Sequence, residues 1–157
     1  MQSIIHEVNQ EFPGSLIHYG ANKFNPKKFK KIQNDSWIKP IGGLWLSPED
    51  TEYGWRDFCT SEGFRTEKLQ YHFRAKFKGN AKILVIDSLS DLSILPMQNA
   101  ICGLTQVPDF EKIAKKYHAI WLTERGQIQT RFGHPHNLYG WDCECVIILN
   151  SECFYEI

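Results

Sequence analysis

The sequence has no long apolar run, no excess of charge of either sign and no glycine-rich phosphate loop. No segment of the 157 residues reaches the length of apolar sequence that spans a bilayer, so we expect no membrane association. Lysine plus arginine equals aspartate plus glutamate at 18 each, so net charge gives no general argument for nucleic acid or an acidic surface. The missing Walker or dinucleotide-type loop excludes the nucleotide-binding modes that depend on one.

Cysteine is sparse, and the five cysteines are an odd number without the spacing of a secreted disulfide framework. The first seven residues lack the basic stretch and apolar run of a signal peptide. These features predict a cytoplasmic protein with free thiols. His134-Pro135-His136 followed by Cys143-x-Cys145 offers zinc-ligand types, but zinc modules favour C-x-x-C spacing, and we expect no metal.

Apolar residues make up 42% and aromatics 13%, which is typical of a globular chain, and the length predicts one domain over residues 1–157. Strands outnumber helices without strict alternation, which predicts an α+β fold. Hydrophobic periodicity and turn residues predict strands at 16–19, 44–46, 69–77, 83–86, 119–122 and 142–149. They predict helices at 49–61, 88–95 and 110–117.

Three segments that contain these strands carry residues that burial alone does not need. They are 16–20 with His18, 42–47 with Trp45 and Ser47, and 141–149 with Asp142 and Glu144. On a strand the two carboxylates share a face that then becomes apolar, which favours the mouth of a cleft over burial. A carboxylate there can stabilise the oxocarbenium-like state of glycosidic bond cleavage. The structural alternatives are a satisfied core histidine, core tryptophans and a strand with exposed acids.

Taken in order, the segments resemble the ADP-ribosyltransferase superfamily, in its His-aromatic-Glu branch. Poly(ADP-ribose) polymerases and related transferases carry a His ending the first core strand, Gly-x-Gly-aliphatic-Tyr-Phe-Ala/Ser in the second, a helix with another aromatic, and a Glu before an aliphatic strand. The corresponding residues here are Ile17-His18-Tyr19-Gly20, Gly42 to Ser47, Trp55 and Glu144 to Ile148. The chain departs from the pattern at Tyr19, which precedes the glycine, and at Trp45, which replaces Tyr.

The resemblance implies a single domain with split, mostly antiparallel β-sheets of the ADP-ribosyltransferase type. It implies that NAD is the co-substrate and that ADP-ribose is transferred singly to a protein or nucleic acid, with release of nicotinamide. It also implies a toxin, effector or phage-encoded modifier, acting in the cytoplasm of its own or a host cell. We expect a monomer.

The resemblance also implies a role for each matched residue. His18 would hydrogen-bond NAD on the adenosine-ribose side, and the Tyr19 backbone would read the nicotinamide carboxamide. Trp45 would line the nicotinamide pocket, Trp55 would stack on the ring, and Ser47 would support the pocket or Glu144. The catalytic residues would be Glu144, which binds the nicotinamide ribose and stabilises positive charge at the anomeric carbon, and His18.

Two regions are candidates for choosing the target. By analogy with the toxin branch, Asp142 would orient or deprotonate the acceptor, and segment 123–140 would recognise it. That segment offers Arg125, Gln127, Gln129, Arg131, His134 and His136. The stretch 23–39 carries six lysines with Phe24, Phe29 and Trp37 among them. It is either a phosphate- and base-binding surface or a solvated lysine face.

Three other functions remain open on the sequence. A silent domain could bind NAD, ADP-ribose or nucleic acid through the same cleft, and an NAD glycohydrolase would use water as acceptor. A Cys-His hydrolase built on Cys59 or Cys102 has no local signature.

Overall fold

Eight strands form one continuous sheet in which every pairing but one is antiparallel. The structure is a computed structural model that describes residues 6–7, 13–35, 38–100 and 105–157. The strand order is β1-β5-β8-β9-β3-β2-β4-β10, and β5 and β8 form the parallel pair. Strands β6 and β7 form a separate antiparallel pair. The predicted α+β class and the mostly antiparallel sheet are confirmed.

The strands within the described residues are β1 (His6–Glu7), β2 (Leu16–Tyr19), β3 (Leu44–Pro48), β4 (His72–Phe77), β5 (Lys82–Ile86), β6 (Met97–Asn99), β7 (Gln106–Pro108), β8 (Ala119–Leu122), β9 (Cys145–Ile148) and β10 (Phe154–Glu156). The α-helices are α1 (Trp55–Glu62), α2 (Leu89–Ser93), α3 (Phe110–Ala114) and α4 (Glu124–Thr130), and 3₁₀ turns cover Pro26–Lys28, Thr66–Lys68 and Ser151–Cys153. In this described part of the chain, no helix has both the length and the apolar character for crossing a membrane.

Strand β3 joins the two halves of the sheet and pairs with each of them over a different part of its length. Its first residues, 44–46, pair with β9, whereas Ser47 and Pro48 pair with the start of β2. Only two residue pairs connect β2 to β3, so the two strands diverge beyond Ile17. This divergence leaves room for side chains between the strands, and a cavity lies there.

The core lies on both sides of the sheet. Strand β9 is buried on both faces, and its side chains alternate between two apolar clusters. Ile147 belongs to the cluster that includes Phe110 of α3, and Val146 belongs to the cluster that includes Leu16 and Phe73. The last long apolar run of the sequence therefore forms a central strand of the sheet.

Several element boundaries differ from the predictions. The strands predicted at 83–86 and 119–122 are confirmed, and the helices at 88–95 and 110–117 are present but shorter. The strand predicted at 69–77 begins at His72, because the residues before it form the turn after a 3₁₀ helix. The helix predicted at 49–61 begins at Trp55, because β3 continues through Pro48. Helix α4 was not predicted and lies within the segment expected to be turns.

Candidate functional site

A cavity of about 420 Å³ lies where β2 and β3 diverge. Its walls come from the end of β2, the middle of β3, the start of α1, residues 65–68 and segment 141–145. The predicted site residues that line it are His18, Tyr19, Trp45, Ser47, Trp55 and Asp142. These six residues come from three regions of the chain that are distant in sequence, 18–19, 45–55 and 142.

His18 fills the gap between the diverging strands. Its Nδ1 lies 2.7 Å from the carbonyl oxygen of Trp45, and because a carbonyl cannot donate, Nδ1 carries the proton. Burial lowers the pKa of His18 below its ordinary value of 6.5, and the bond to Trp45 offsets this only in part. The ring is therefore neutral near pH 7, and Nε2 is a hydrogen-bond acceptor. The Phe73 ring supports it with a centroid distance of 5.0 Å.

Two tryptophans form a wall of the cavity that is anchored in the core. Trp45 meets Trp141 edge to face, with ring centroids 4.8 Å apart. Trp141 is almost fully buried and stacks on Phe110 of α3 at 6.0 Å. Because each ring is held by another, the face that Trp45 presents to the cavity has a fixed orientation.

Ser47 positions the opposite aromatic, Trp55. The Ser47 hydroxyl is buried and accepts the backbone N–H of Trp55 at 3.0 Å, which caps the first residue of α1. Gly54 passes so close to Ser47 and Thr51 that a Cβ there would lie 2.7 Å from the Thr51 methyl. The Trp55 ring then stacks on Phe58 with centroids 5.4 Å apart.

Charged side chains surround the opening of the cavity. Lys39, Arg65 and Lys68 line it, and Asp142 is the single acid in the lining within the described part of the chain. Lys39 Nζ lies 3.8 Å from Asp142 Oδ2 and 5.8 Å from the centroid of the Trp45 ring. The sequence did not single out Arg65, Lys68 or Trp141, although an aromatic directly before Asp142 was a usable signal.

A second, more open recess adjoins the cavity. Both concavities share Lys39, Trp55, Arg65 and Asp142, and the recess adds Phe58, Glu62 and Phe64. Phe64 is 43% exposed, packs edge-on against Trp55 and lies under the guanidinium of Arg65 at 5.1 Å. Asp142 therefore lies at the junction between a narrow cavity and an open aromatic surface.

Glu144 does not line the cavity, and its side chain lies on the opposite side of segment 141–145. The backbone bends at Cys143 and Glu144, and β9 begins only at Cys145. The prediction that Asp142 and Glu144 share one face of a strand is therefore wrong. Cys143 and Cys145 line the cavity, whereas the carboxylate of Glu144 is buried and accepts a hydrogen bond from the indole N–H of Trp121 at 2.9 Å. The Glu144 backbone N–H donates to the Tyr53 carbonyl at 3.3 Å.

The residues predicted to recognise the target lie on and after α4, away from the cavity lining. Arg125 pairs with Asp87 at 3.5 Å, and the Gln127 amide donates to the Trp141 carbonyl at 3.2 Å. Arg131 lies over the rings of the exposed Phe132 and Tyr139. Gln127 thus supports the backbone next to Asp142, whereas the two arginines contact residues outside the cavity lining.

The lysines of the lysine-rich stretch are exposed, but two of its aromatic residues, Phe24 and Phe29, are not available for base stacking. Phe24 and Phe29 pack towards the core, and Phe24 meets Phe154 with centroids 5.0 Å apart. Lys39 is the lysine of this stretch that reaches the cavity. Trp37 lies outside the described residues.

The thiols and histidines do not assemble into a second site in the described ranges. No group of three or more His, Cys, Asp or Glu in residues 6–7, 13–35, 38–100 and 105–157 is placed to hold a metal ion. His136 instead contacts the Gln106 side chain at 2.9 Å. Burial raises the pKa of Cys59 and raises that of Cys143 to about 12, which is the opposite of what a nucleophilic thiol needs. Cys102 lies outside the described residues.

Comparisons with known proteins leave the cavity as the principal source of functional information. No protein-family model, curated protein or solved structure matches this chain. The resemblance to ADP-ribosyltransferases therefore stays a prediction, and a function must be inferred from the residues around the cavity.

Proposed function

We propose that the protein binds NAD in this cavity and transfers ADP-ribose to a macromolecular acceptor, protein or nucleic acid, with release of nicotinamide. The observation that carries the proposal is the convergence of His18, Tyr19, Trp45, Ser47 and Trp55 on one cavity. These are the residues for which the sequence resemblance implies NAD contacts. Because these residues are separated in sequence, a chance match to the motifs would not be expected to bring them to one cavity.

The chemistry of the lining suits a dinucleotide. Neutral His18 offers Nε2 as an acceptor for a ribose hydroxyl, and the Tyr19 backbone offers polar groups for a carboxamide. The rings of Trp45 and Trp55 can flank a planar nicotinamide. Arg65 and Lys68 at the opening suit a pyrophosphate. The volume lies within the range of about 300–1,000 Å³ that is usual for ligand sites.

The fold is compatible with this proposal. We assign the diverging, mostly antiparallel sheet to the ADP-ribosyltransferase type, in which a cleft between two halves of a sheet holds NAD. Support comes from the way in which β3 pairs with β9 and β2 over different residues. NAD in that superfamily is held without a glycine-rich phosphate loop, which agrees with the absence of one here.

A silent NAD-binding domain is the second candidate, and one observation favours it. The carboxylate of Glu144, which the resemblance makes catalytic, is hydrogen-bonded to Trp121 on the far side of the wall. A domain that had lost its catalytic carboxylate would bind NAD without consuming it. An NAD glycohydrolase, with water as acceptor, would use the same cavity and differ only in the product.

Incubation with labelled NAD and separate pools of protein, RNA and DNA tests the proposal. We expect nicotinamide release and label in one pool, both lost in Trp55→Ala because the ring loses its stacking partner. Tyr155→Ala is the matched control, since this tyrosine is 47% exposed on the edge strand β10 and lies outside the cavity lining.

The other outcomes identify the alternatives. Nicotinamide release without label in any pool indicates a glycohydrolase. NAD binding by calorimetry without nicotinamide release indicates the silent domain. Absence of NAD binding in the wild-type protein contradicts the proposal and both alternatives that use NAD.

A further inference from the structure

Asp142 lies at the point where the cavity and the recess meet. Among the residues that the structure describes it is the one acid that lines the cavity, and it also lines the recess. Its carboxylate is therefore next to both spaces, the one that would hold a donor and the one that would hold an acceptor.

The Asp142 carboxylate is available to a substrate. Its side chain retains 23% exposure, and the nearest cation, Lys39 Nζ, lies at 3.8 Å, beyond ordinary hydrogen-bond distance. Lys39 itself is 44% exposed, so the pair is loose. A ribose hydroxyl can take up the open acceptor positions on the carboxylate without breaking a tight ion pair.

Glu144 lacks this access. Only 8% of the residue is exposed, its carboxylate accepts from Trp121 Nε1, and its backbone N–H is bonded to Tyr53. Cys143 and Cys145, its neighbours on either side, face the cavity in its place. To reach a substrate, Glu144 would have to exchange sides with them and abandon the Trp121 contact.

We propose that Asp142, and not Glu144, is the catalytic carboxylate of this site, acting at the junction of a donor cavity and an acceptor recess. The inference rests on the proposed function and changes the role given to both acids. Asp142 contacts the nicotinamide ribose and stabilises the positive charge that develops at its anomeric carbon. Glu144 is a positioning residue that ties the start of β9 to Trp121 and to the loop before α1.

The step balances with the groups present. The bond between C1′ of the ribose and the nicotinamide nitrogen breaks, and its electron pair stays on the nitrogen, which leaves as neutral nicotinamide. The nucleophilic atom of the acceptor forms a bond to C1′ from the side of the recess. Its proton passes to the Asp142 carboxylate and from there to water.

The test compares Asp142→Asn with Glu144→Gln in the full chain, with NAD as substrate. Asn keeps the shape of the side chain and removes the charge, so we expect nicotinamide release and transfer to fall together by about 100-fold or more. NAD binding by calorimetry should persist. Gln keeps an acceptor for Trp121, so we expect turnover within about threefold of wild type for Glu144→Gln. Asp50→Asn, on an exposed turn, is the matched control for the charge change.

Asp142→Glu tests for rescue. It restores a carboxylate one methylene further out, so we expect it to regain part of the turnover lost in Asp142→Asn. Two results would overturn the inference while leaving the proposed function in place. One is an Asp142→Asn variant that keeps nicotinamide release but loses transfer, which limits Asp142 to the acceptor. The other is loss of release in Glu144→Gln alone. A wild-type protein that neither binds nor consumes NAD would instead overturn the proposed function, and this inference with it.

Discussion

His18 connects the stability of the domain to its proposed chemistry. Its Nδ1–H donates to the Trp45 carbonyl across the gap between β2 and β3, and burial keeps the ring neutral. The same neutrality leaves Nε2 as an acceptor for a substrate hydroxyl. A proton on Nε2 would place a charge in a largely desolvated position and would remove that acceptor.

We predict that stability falls as pH decreases below the ordinary histidine pKa of 6.5, down to the lowered pKa of folded His18. Because the pKa is lower in the folded state, the unfolded chain takes up the proton first, and acid favours unfolding in this window. His18→Asn retains a side-chain N–H donor and does not titrate, so the urea midpoint of this variant should change less between pH 7.5 and about pH 5.

The difference between the two proteins isolates His18, because the other five histidines are common to both. NAD affinity of the folded wild type should fall only at lower pH, as the pH approaches the lowered pKa of folded His18, because protonation of the folded ring removes the Nε2 acceptor. Equal pH dependence of stability in wild type and His18→Asn would contradict the neutral, buried assignment.

For single residues, the sequence predicted which residue types belong to the site better than it predicted the side of the backbone on which each side chain lies. His18, Trp45 and Trp55 line the cavity as their pattern suggested. The two acids differ, because the side on which Glu144 lies depends on a backbone bend at Cys143 and Glu144. Strand alternation places side chains correctly only within the strand, and β9 begins one residue after Glu144.

At the level of elements, a capping hydrogen bond at its N-terminus attaches α1 to the site. The helix predicted at 49–61 begins only at Trp55, and Ser47 caps this first residue from eight positions earlier in the chain. Gly54, directly before α1, donates its N–H to the Asp57 carboxylate at 2.8 Å. The contact between Ser47 and Trp55 spans too many residues for a local sequence pattern to predict.

We predict that Ser47→Ala destabilises the domain by about 1 kcal/mol, because the Trp55 N–H loses its buried acceptor. It should also weaken NAD binding about fivefold, since NAD must then order the start of α1. Chemical denaturation and calorimetry measure the two effects. The prediction ties a stability defect to a binding defect at one hydroxyl.

Ser88→Ala is the matched control. Its hydroxyl caps α2 by accepting the Asp91 N–H at 3.1 Å, and this helix does not contribute to the cavity lining. We expect a similar loss of stability with unchanged NAD affinity. Equal weakening of NAD binding in both variants would mean that Ser47 acts only through global stability.

Helix α4 is one of the elements that were not predicted from the sequence, together with the short strands β1, β6, β7 and β10. Gly126 in the first turn of α4 lowers helix propensity and suggests a turn. In the fold, a Cβ at this position would lie 2.0 Å from the Ile86 carbonyl oxygen, so glycine is required by close packing on the end of β5. This contact joins residues about forty positions apart, and local pattern carries no information on it.

For the whole molecule, composition and pattern predicted the class of fold but not its connections. The buried runs in β5, β8 and β9 were predicted as strands because they are apolar and too short for a typical helix. The strand order and the short ladder between β2 and β3 arise from long-range pairing. The cavity exists because that ladder is short, so its lining could be proposed from motifs but its position could not be predicted.

Charge is balanced over the whole molecule but not at the cavity, and this asymmetry has a measurable consequence. The chain has 18 basic and 18 acidic residues, so it exerts little net field on an approaching anion. At the opening, Lys39, Arg65 and Lys68 face one acid. Attraction of a pyrophosphate must therefore come from these few cations at short range.

We predict that NAD binding weakens by about tenfold between low and roughly 0.5 M salt, because screening shortens the range of these interactions to a few ångströms. Lys68→Gln should lower the affinity at low salt and flatten the salt dependence, as one of the screened charges is already gone. Lys116→Gln, an exposed lysine after α3, makes the same change in net charge and should leave both quantities unaltered. Calorimetric titrations of the three proteins across the salt series decide the matter, since an equal effect of both substitutions would assign the attraction to net charge and not to the cations at the cavity.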